Sequence, residues 1–110
     1  MNLWEHNCVD GATALNEAAI TALLTQVPNY RRLGDMIIAE YDFPDWKHSF
    51  AFATAVSAMV EKQNHHPDVA LGYHYCELTF TTHSEDDMLT MNDFICAARA
   101  NVLFIGEPDA

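Results

Sequence analysis

Basic residues are scarce in this sequence. Five Lys and Arg stand against 16 Asp and Glu, which gives the 110-residue chain a formal net charge of −11 at pH 7. Such a chain repels the phosphate backbone, so binding of nucleic acid through a basic face is disfavoured. The acidity also favours solubility, and by itself it indicates no particular substrate.

Long apolar runs and a basic N-terminal region are lacking as well. No stretch approaches the roughly 20 apolar residues of a membrane span, and the N-terminus has no signal-peptide pattern. We therefore expect a cytoplasmic protein without a membrane partner. The three cysteines, Cys8, Cys76 and Cys96, show neither paired nor zinc-type spacing, so we expect isolated thiols and no disulfide.

Half of the residues are hydrophobic, which is enough for one domain with its own core over residues 1–110. Three segments, 16–28, 45–64 and 90–102, have apolar residues at helical spacing. In the second of them Trp46 and Phe50 are assigned to the buried face. The helices are predicted to begin after Asn16, Asp45 and Thr90, and Asp93 completes a variant of the capping box with Thr90.

The segments between these helices have strand character. Residues 30–33 and 36–43 form a predicted hairpin around a turn at Gly34, and 68–82 is long enough to form a second hairpin. Its tip is expected between Gly72 and Tyr75. The order α-β-β-α-β-β-α predicts an α+β fold in which three helices cover one face of a four-stranded antiparallel sheet.

Three of the six histidines lie at predicted element ends. His65 and His66 precede Pro67, which disfavours helix at His66, and His83 ends the second hairpin. If the hairpin tip lies near residues 74 and 75, strand pairing places residue 82 or 83 opposite Pro67 and Asp68. The three imidazoles would then meet at one edge of the sheet.

Imidazoles are suited to proton transfer near neutral pH because their ordinary pKa is about 6.5. Glu61, Asp68 and Asp93 are acidic neighbours that could orient a ring. A purely structural role is the alternative, since histidines at the end of a helix also interact favourably with its dipole. We expect no metal site, because adjacent residues such as His65 and His66 point to opposite sides of an extended chain.

These residues carry a family resemblance. The segment 61–68, with sequence EKQNHHPD, resembles the signature of the pterin-4a-carbinolamine dehydratases, and Tyr73, His83 and Asp93 follow at permitted spacing. The resemblance covers about residues 15–102. The first dozen residues and the final segment, 106–110, lie outside it, and we expect these ends to be flexible.

The resemblance implies an enzyme that removes water from 4a-hydroxytetrahydropterin to give the quinonoid dihydropterin, in the recycling of tetrahydrobiopterin. It implies no metal or organic cofactor, and assembly as a homodimer or homotetramer. The implied catalytic residues are His65, His66 and His83. The implied pterin contacts are Asn64, Thr81, Thr82 and Ser84, partly through backbone groups. The implied supporting residues are Glu61, Pro67, Asp68 and Asp93.

Two positions depart from the family pattern. The acidic loop 84–88 lacks the glycine that many relatives place before the Leu-Thr cap, and Asn64 stands where others have aspartate. Two other functions stay open at this point: a non-catalytic pterin-binding or protein-interaction module on the same fold, and an enzyme for a different pterin.

Overall fold

Two β-hairpins form one antiparallel sheet. The computed structural model describes residues 1–105, with β1 (Arg31–Leu33) and β2 (Met36–Asp42) in the first hairpin and β3 (Asp68–Leu71) and β4 (Tyr75–Phe80) in the second. The hairpins join through β2 and β4, so the sheet order is β1-β2-β4-β3. Alternate residues of the two central strands are buried, which leaves one face of each strand for the core.

Three helices complete the fold and confirm the predicted order. They are α1 (Glu17–Leu24), α2 (Trp46–Gln63) and α3 (Met91–Ile105). The predicted helix starts are correct: the Asn16 side chain accepts a hydrogen bond from the Ala19 amide at 2.9 Å, and Asp45 accepts one from the His48 amide at 3.0 Å. The observed architecture is the predicted α+β fold.

The buried face of α2 differs from the predicted one. Trp46 and Phe50 are 46% and 53% exposed, and their rings stack on each other with centroids 5.9 Å apart. The Ser49 hydroxyl donates to the Gly72 carbonyl at 2.9 Å, so the small side chain of Ser49 faces the second hairpin. This close approach turns the two bulky neighbours towards solvent. The buried residues of α2 are Ser49, Phe52, Val56 and Val60.

Helix α3 is the most deeply buried element, with eight of its residues in the core. Phe94 is fully buried, as are Leu78 and Phe80 on β4. Full burial of such a side chain contributes roughly 1.5–3 kcal/mol, and its truncation to alanine typically costs about 3–5 kcal/mol. The stability of the fold therefore depends on α3.

No helix within residues 1–105 has both the length and the apolar character needed to cross a bilayer.

The N-terminal segment, which we expected to be flexible, packs on α3. Leu3 is 7% exposed and lies in a short 3-10 turn, Leu3–Glu5. The Arg99 guanidinium donates to the His6 carbonyl at 2.6 and 3.1 Å, which ties the following residues to the same helix. The C-terminal segment 106–110, which we also expected to be flexible, lies outside the described residues.

Candidate functional site

The register of the second hairpin sets the positions of the site residues. The Gly72 amide donates to the Tyr75 carbonyl at 2.8 Å, which closes a loop at residues 73 and 74, within the predicted range. Asp68 consequently pairs with Thr79, so the expectation that residue 82 or 83 lies opposite Pro67 and Asp68 is wrong. A tip displaced by one residue moves every cross-strand partner by two. A Cβ at Gly72 would lie 2.1 Å from the Tyr75 ring, so a larger residue at this turn position would displace that ring.

His65 points into the core. It follows Asn64, which has a left-handed backbone (φ 52°) and ends α2. The imidazole is 9% exposed, its Nε2 lies 2.6 Å from Asp93 Oδ1, and its plane is 9° from that of the Phe80 ring. His65 is therefore held in a fixed orientation by one polar and one aromatic contact.

Asp93 connects this histidine to the start of α3. Its second oxygen accepts hydrogen bonds from the Thr90 amide at 2.9 Å and from the Thr82 hydroxyl at 2.7 Å. The Thr82 and Thr90 hydroxyls are themselves 2.8 Å apart. The predicted capping residues Thr90 and Asp93 are confirmed. This fully buried carboxyl also has the hydrogen-bond partners that such burial requires.

His66 and His83 are exposed, and each has its own carboxylate. His66 Nε2 lies 2.5 Å from Glu61 Oε1, and the His66 side chain is 51% exposed. His83 Nδ1 lies 2.7 Å from Asp87 Oδ1, with a side chain that is 68% exposed. All three predicted histidines thus belong to histidine–carboxylate pairs, one buried and two at the surface.

The three imidazoles are connected indirectly. Asp93 contacts both His65 and Thr82, and Thr82 immediately precedes His83. His66 is the chain neighbour of His65. Within residues 1–105 no hydrogen bond joins two of these imidazoles directly, and no three His, Cys, Asp or Glu side chains are grouped to hold a metal ion.

The threonines predicted to contact a pterin use their hydroxyls inside the protein. Thr81 Oγ1 donates to the Asp35 carbonyl at 2.7 Å, and Thr82 Oγ1 bonds to Asp93 and Thr90. The Thr82 amide donates to the Met88 carbonyl at 3.0 Å.

The other predicted residues border the histidines at the surface. Asn64 and Asp68 are exposed at the two ends of the His-His-Pro segment, and Pro67 is half-buried between them. Ser84 is exposed in the 3-10 turn His83–Glu85.

The acidic loop after His83 has a defined conformation without glycine. Asp86 (φ 52°) and Asp87 (φ 60°) are both left-handed, a region that aspartate enters more easily than most residues. The Met88 amide donates to the Glu85 carbonyl at 3.0 Å and closes the turn. Two aspartates therefore hold backbone conformations that glycine would adopt at lower cost.

Sequence reasoning missed three contributors to the site: Phe80, Asp87 and Thr90. The alternation of β4 places Phe80 inwards but does not reveal its stacking on His65. Asp87 lies four residues after His83 in a loop, where spacing predicts no contact. Thr90 was predicted only as a helix cap, and no sequence pattern predicts the contact of its hydroxyl with that of Thr82.

A cavity of about 540 Å³ lies elsewhere, between the N-terminal segment, β2 and the end of α3. Trp4, Tyr41, Asn101 and Phe104 are among its lining residues, which include none of the predicted site residues. The exposed histidines His66 and His83 therefore lie outside this cavity, at the surface of the single chain.

The fold is shared with two solved structures. One, titled a transcriptional coactivator/pterin dehydratase from Brucella melitensis, has a TM-score of 0.79 and 23% identity, covering 84% of this chain and 99% of that one. The other is titled a pterin dehydratase-like RuBisCO assembly factor of the alpha-carboxysome, with a TM-score of 0.57 and 23% identity over 67% and 84% of the chains. These likenesses define an α+β protein of the pterin dehydratase fold.

Sequence comparison goes further than the fold. The family model described as pterin 4 alpha carbinolamine dehydratase matches residues 13–103. A protein of Nitrosospira multiformis, provisionally named a pterin-4-alpha-carbinolamine dehydratase, is 36% identical over 88% of this chain and 85% of its own. One of Chromobacterium violaceum with the same provisional name is 33% identical over 94% and 97%. The chain belongs to the pterin-4a-carbinolamine dehydratase family.

Proposed function

We propose that this protein removes water from 4a-hydroxytetrahydropterin to form the quinonoid dihydropterin. Family membership supports the substrate class. The observation that carries the reaction type is the set of three histidine–carboxylate pairs at one end of the fold: His65–Asp93, His66–Glu61 and His83–Asp87. Imidazoles oriented by carboxylates are the groups that general acid–base catalysis uses near neutral pH.

The reaction needs two proton transfers. The C4a–oxygen bond breaks as a proton reaches the leaving hydroxyl group, and a proton leaves a ring nitrogen as the new double bond forms. His66 and His83 are exposed and each has one ring nitrogen on a carboxylate, so the opposite nitrogen of each ring is positioned to exchange a proton with the pterin. A positioned acid or base typically contributes about 10²–10⁴-fold in rate. Either histidine fits either role.

His65 has a different place in the proposal. Its ring is buried and its Nε2 contacts Asp93. Its proposed function is therefore to help hold the pterin by keeping the backbone around His65 in place. Asn64 and Ser84 would contact the pterin from the surface. Thr81 and Thr82 would contact it through backbone groups, since both hydroxyls have internal partners.

Glu61 in this scheme orients His66, while Pro67 and Asp68 shape the edge of the site. The proposed reaction uses no metal or organic cofactor.

Assembly as a homodimer or homotetramer belongs to the same proposal. The stacked pair of Trp46 and Phe50 is an exposed aromatic surface on α2, of the kind that subunit contacts cover. Sedimentation at micromolar concentration tests this, and a monomeric profile would contradict it. We further propose a cytoplasmic location and a role in tetrahydrobiopterin recycling, in which an aromatic amino acid hydroxylase supplies the substrate.

The decisive experiment is stopped-flow dehydration of freshly prepared 4a-hydroxytetrahydropterin, with and without protein. The expected acceleration over the uncatalysed background scales with protein concentration and is lost in His66→Ala. His48→Ala is the matched control, because His48 is also exposed and also bonded to an aspartate, with its Nδ1 2.6 Å from Asp45 Oδ1. If folded protein does not accelerate the dehydration, the proposed dehydratase activity is wrong.

A binding module is the second candidate. One solved structure of this fold is described as a RuBisCO assembly factor, and the other as a transcriptional coactivator as well as a pterin dehydratase, so the fold also serves roles other than catalysis. Pterin binding measured by calorimetry without turnover would favour this candidate. A panel of pterins in the same assay would identify a different substrate.

A further inference from the structure

The N-terminal segment places a cysteine against α3. The Cys8 amide donates to Gln63 Oε1 at 2.7 Å, and the next amide, of Val9, donates to Asn92 Oδ1 at 3.0 Å. Asn92 Nδ2 donates in return to the Val9 carbonyl at 2.9 Å. These bonds fix the backbone on both sides of the Cys8 side chain.

The result is a close pair of thiols. Cys8 Sγ lies 3.5 Å from Cys96 Sγ, although the two residues are 88 positions apart in the sequence. Cys8 is half-buried, whereas Cys96 is fully buried. All three cysteines are free, as expected, but Cys8 and Cys96 are in contact. The sequence did not predict this contact, because it depends on the packing of the N-terminal segment, for which the sequence carries no pattern.

We propose that Cys8 and Cys96 are a redox-active pair that forms an intramolecular disulfide when the protein meets a peroxide or a glutathione disulfide. A disulfide requires the sulfur atoms to approach to about 2.05 Å, a movement of roughly 1.5 Å. The side chain of Cys8 borders solvent, so rotation about its Cα–Cβ bond can supply this movement without a change in the helix.

The chemistry has a nucleophile and a resolving thiol. With glutathione disulfide, the Cys8 thiolate attacks one sulfur and releases one glutathione thiolate. The Cys96 sulfur then attacks Cys8 in the mixed disulfide, and its thiol proton passes to the second glutathione as that leaves. With hydrogen peroxide, Cys8 becomes a sulfenic acid and Cys96 displaces its oxygen as water, so that two thiols and one peroxide give one disulfide and two waters.

The electrostatic environment supports this assignment of roles. The hydrogen bond from Cys96 lowers the pKa of the Cys8 thiol, and the Arg99 guanidinium acts in the same direction. The same contact with Cys8, together with burial, raises the pKa of Cys96. An accessible thiol with a lowered pKa reacts first, and a buried partner resolves the adduct.

The disulfide would fasten the N-terminal segment to the helix that carries Asp93. Cys96 lies three positions after Asp93 on α3, and its Sγ is 4.0 Å from the His65 carbonyl. The pair therefore adjoins the buried part of the histidine site. This inference stands independently of the proposed dehydratase activity, because it rests on the thiols alone.

The test is oxidation of the native protein with glutathione disulfide, followed by thiol counting and peptide mapping. We expect two of the three thiols to be lost, a mass lower by two hydrogens, and a peptide that joins Cys8 to Cys96. Dithiothreitol should restore all three thiols. The oxidised protein should unfold at a higher temperature than the reduced protein, because a long loop is closed.

Matched variants separate this pair from the third cysteine. Cys76 is fully buried, and burial raises its pKa to about 11, so Cys76→Ala should oxidise as the natural protein does. Cys96→Ala should stop at a glutathione adduct on Cys8, and Cys8→Ser should lose no thiols. Retention of all thiols in the natural protein, a stable adduct on Cys8 there, or a cross-link through Cys76 or between chains would each overturn the proposal.

Discussion

The side chains of His65 and Asp93 meet at 2.6 Å across 28 residues of sequence. The same carboxylate accepts the Thr90 amide at the start of α3, so one group both caps the last helix and orients the buried imidazole. The position of His65 is thereby coupled to the formation of α3. This relationship makes Asp93 the residue at which stability and site geometry are most closely linked.

Asp93→Asn should destabilise the protein by about 2–4 kcal/mol. Each carboxylate oxygen of Asp93 has a partner. If the amide nitrogen of asparagine replaces Oδ2, it faces the Thr90 amide, which is also a donor, and if it replaces Oδ1, the His65 ring must take the tautomer that accepts at Nε2. A buried mismatch of this kind costs about 1–3 kcal/mol, and the weakened helix cap adds to it. Urea denaturation measures the change.

Glu61→Gln is the control for this substitution. Glu61 also contacts a histidine, but its side chain is 73% exposed, so the free energy of unfolding should change by no more than about 0.5 kcal/mol. Equal effects of the two substitutions would show that burial of the His65–Asp93 pair does not matter.

His66→Ala and His83→Ala should each lower kcat/KM by at least about tenfold while the protein stays folded. Both side chains are at least half exposed, so the free energy of unfolding should change little. The dehydration assay and urea denaturation are measured on the same preparations, with His48→Ala for comparison. Unchanged rates in both variants would remove these residues from the catalytic site.

Asp86→Gly should stabilise the protein by up to about 1 kcal/mol. Asp86 has a φ of 52°, in the left-handed region of the backbone. This region has a steric cost for residues with a Cβ, and glycine does not have that cost. Glu85→Gly in the same turn is the control, because the backbone of Glu85 is not left-handed and glycine there adds only flexibility. Thermal unfolding of the two variants should shift in opposite directions.

Stability should fall as the pH rises above about 9. Burial raises the pKa of Tyr41 to about 12 and that of Cys76 to about 11. The unfolded chain therefore loses these protons at lower pH than the folded protein does, and ionisation favours unfolding between the two pKa values. Between pH 8 and 11 the two groups together should reduce the free energy of unfolding by about 2–4 kcal/mol.

Urea denaturation at the two pH values, in the presence of a reductant, measures this loss. In Cys76→Ala the free energy of unfolding should decrease less over this pH range, because Tyr41 still contributes to the decrease and Cys76 no longer does. A free energy of unfolding that is constant from pH 8 to 11 would contradict the prediction.

Local chemistry explains what the sequence could predict. Caps at Asn16, Asp45 and Thr90 set the helix starts, and the alternation of apolar residues set the central strands. These signals act within a few residues, so they do not depend on the rest of the fold.

The remaining features depend on tertiary packing. The close contact of Ser49 with the second hairpin decided which face of α2 is buried, and it left Trp46 exposed. For the candidate site, the sequence named Glu61, Asp68 and Asp93 as carboxylates that could orient a histidine, and the structure pairs Asp93 with His65 and Glu61 with His66. The pairing of His83 with Asp87 depends on consecutive left-handed residues, which no periodic pattern reveals.

The burial of α3 has a consequence for the order in which the protein forms. This helix comes last in the described chain, yet it supplies Asp93 to His65 and the surface on which the N-terminal residues pack. Chains grow at about 5–20 residues per second during translation, so His65 is made several seconds before its partner emerges. A nascent chain that ends before residue 90 already contains the His66–Glu61 and His83–Asp87 pairs, but it lacks Asp93, the partner of His65. The buried part of the site can therefore form only after residue 93 has been made, whereas the residues of both exposed pairs are made earlier.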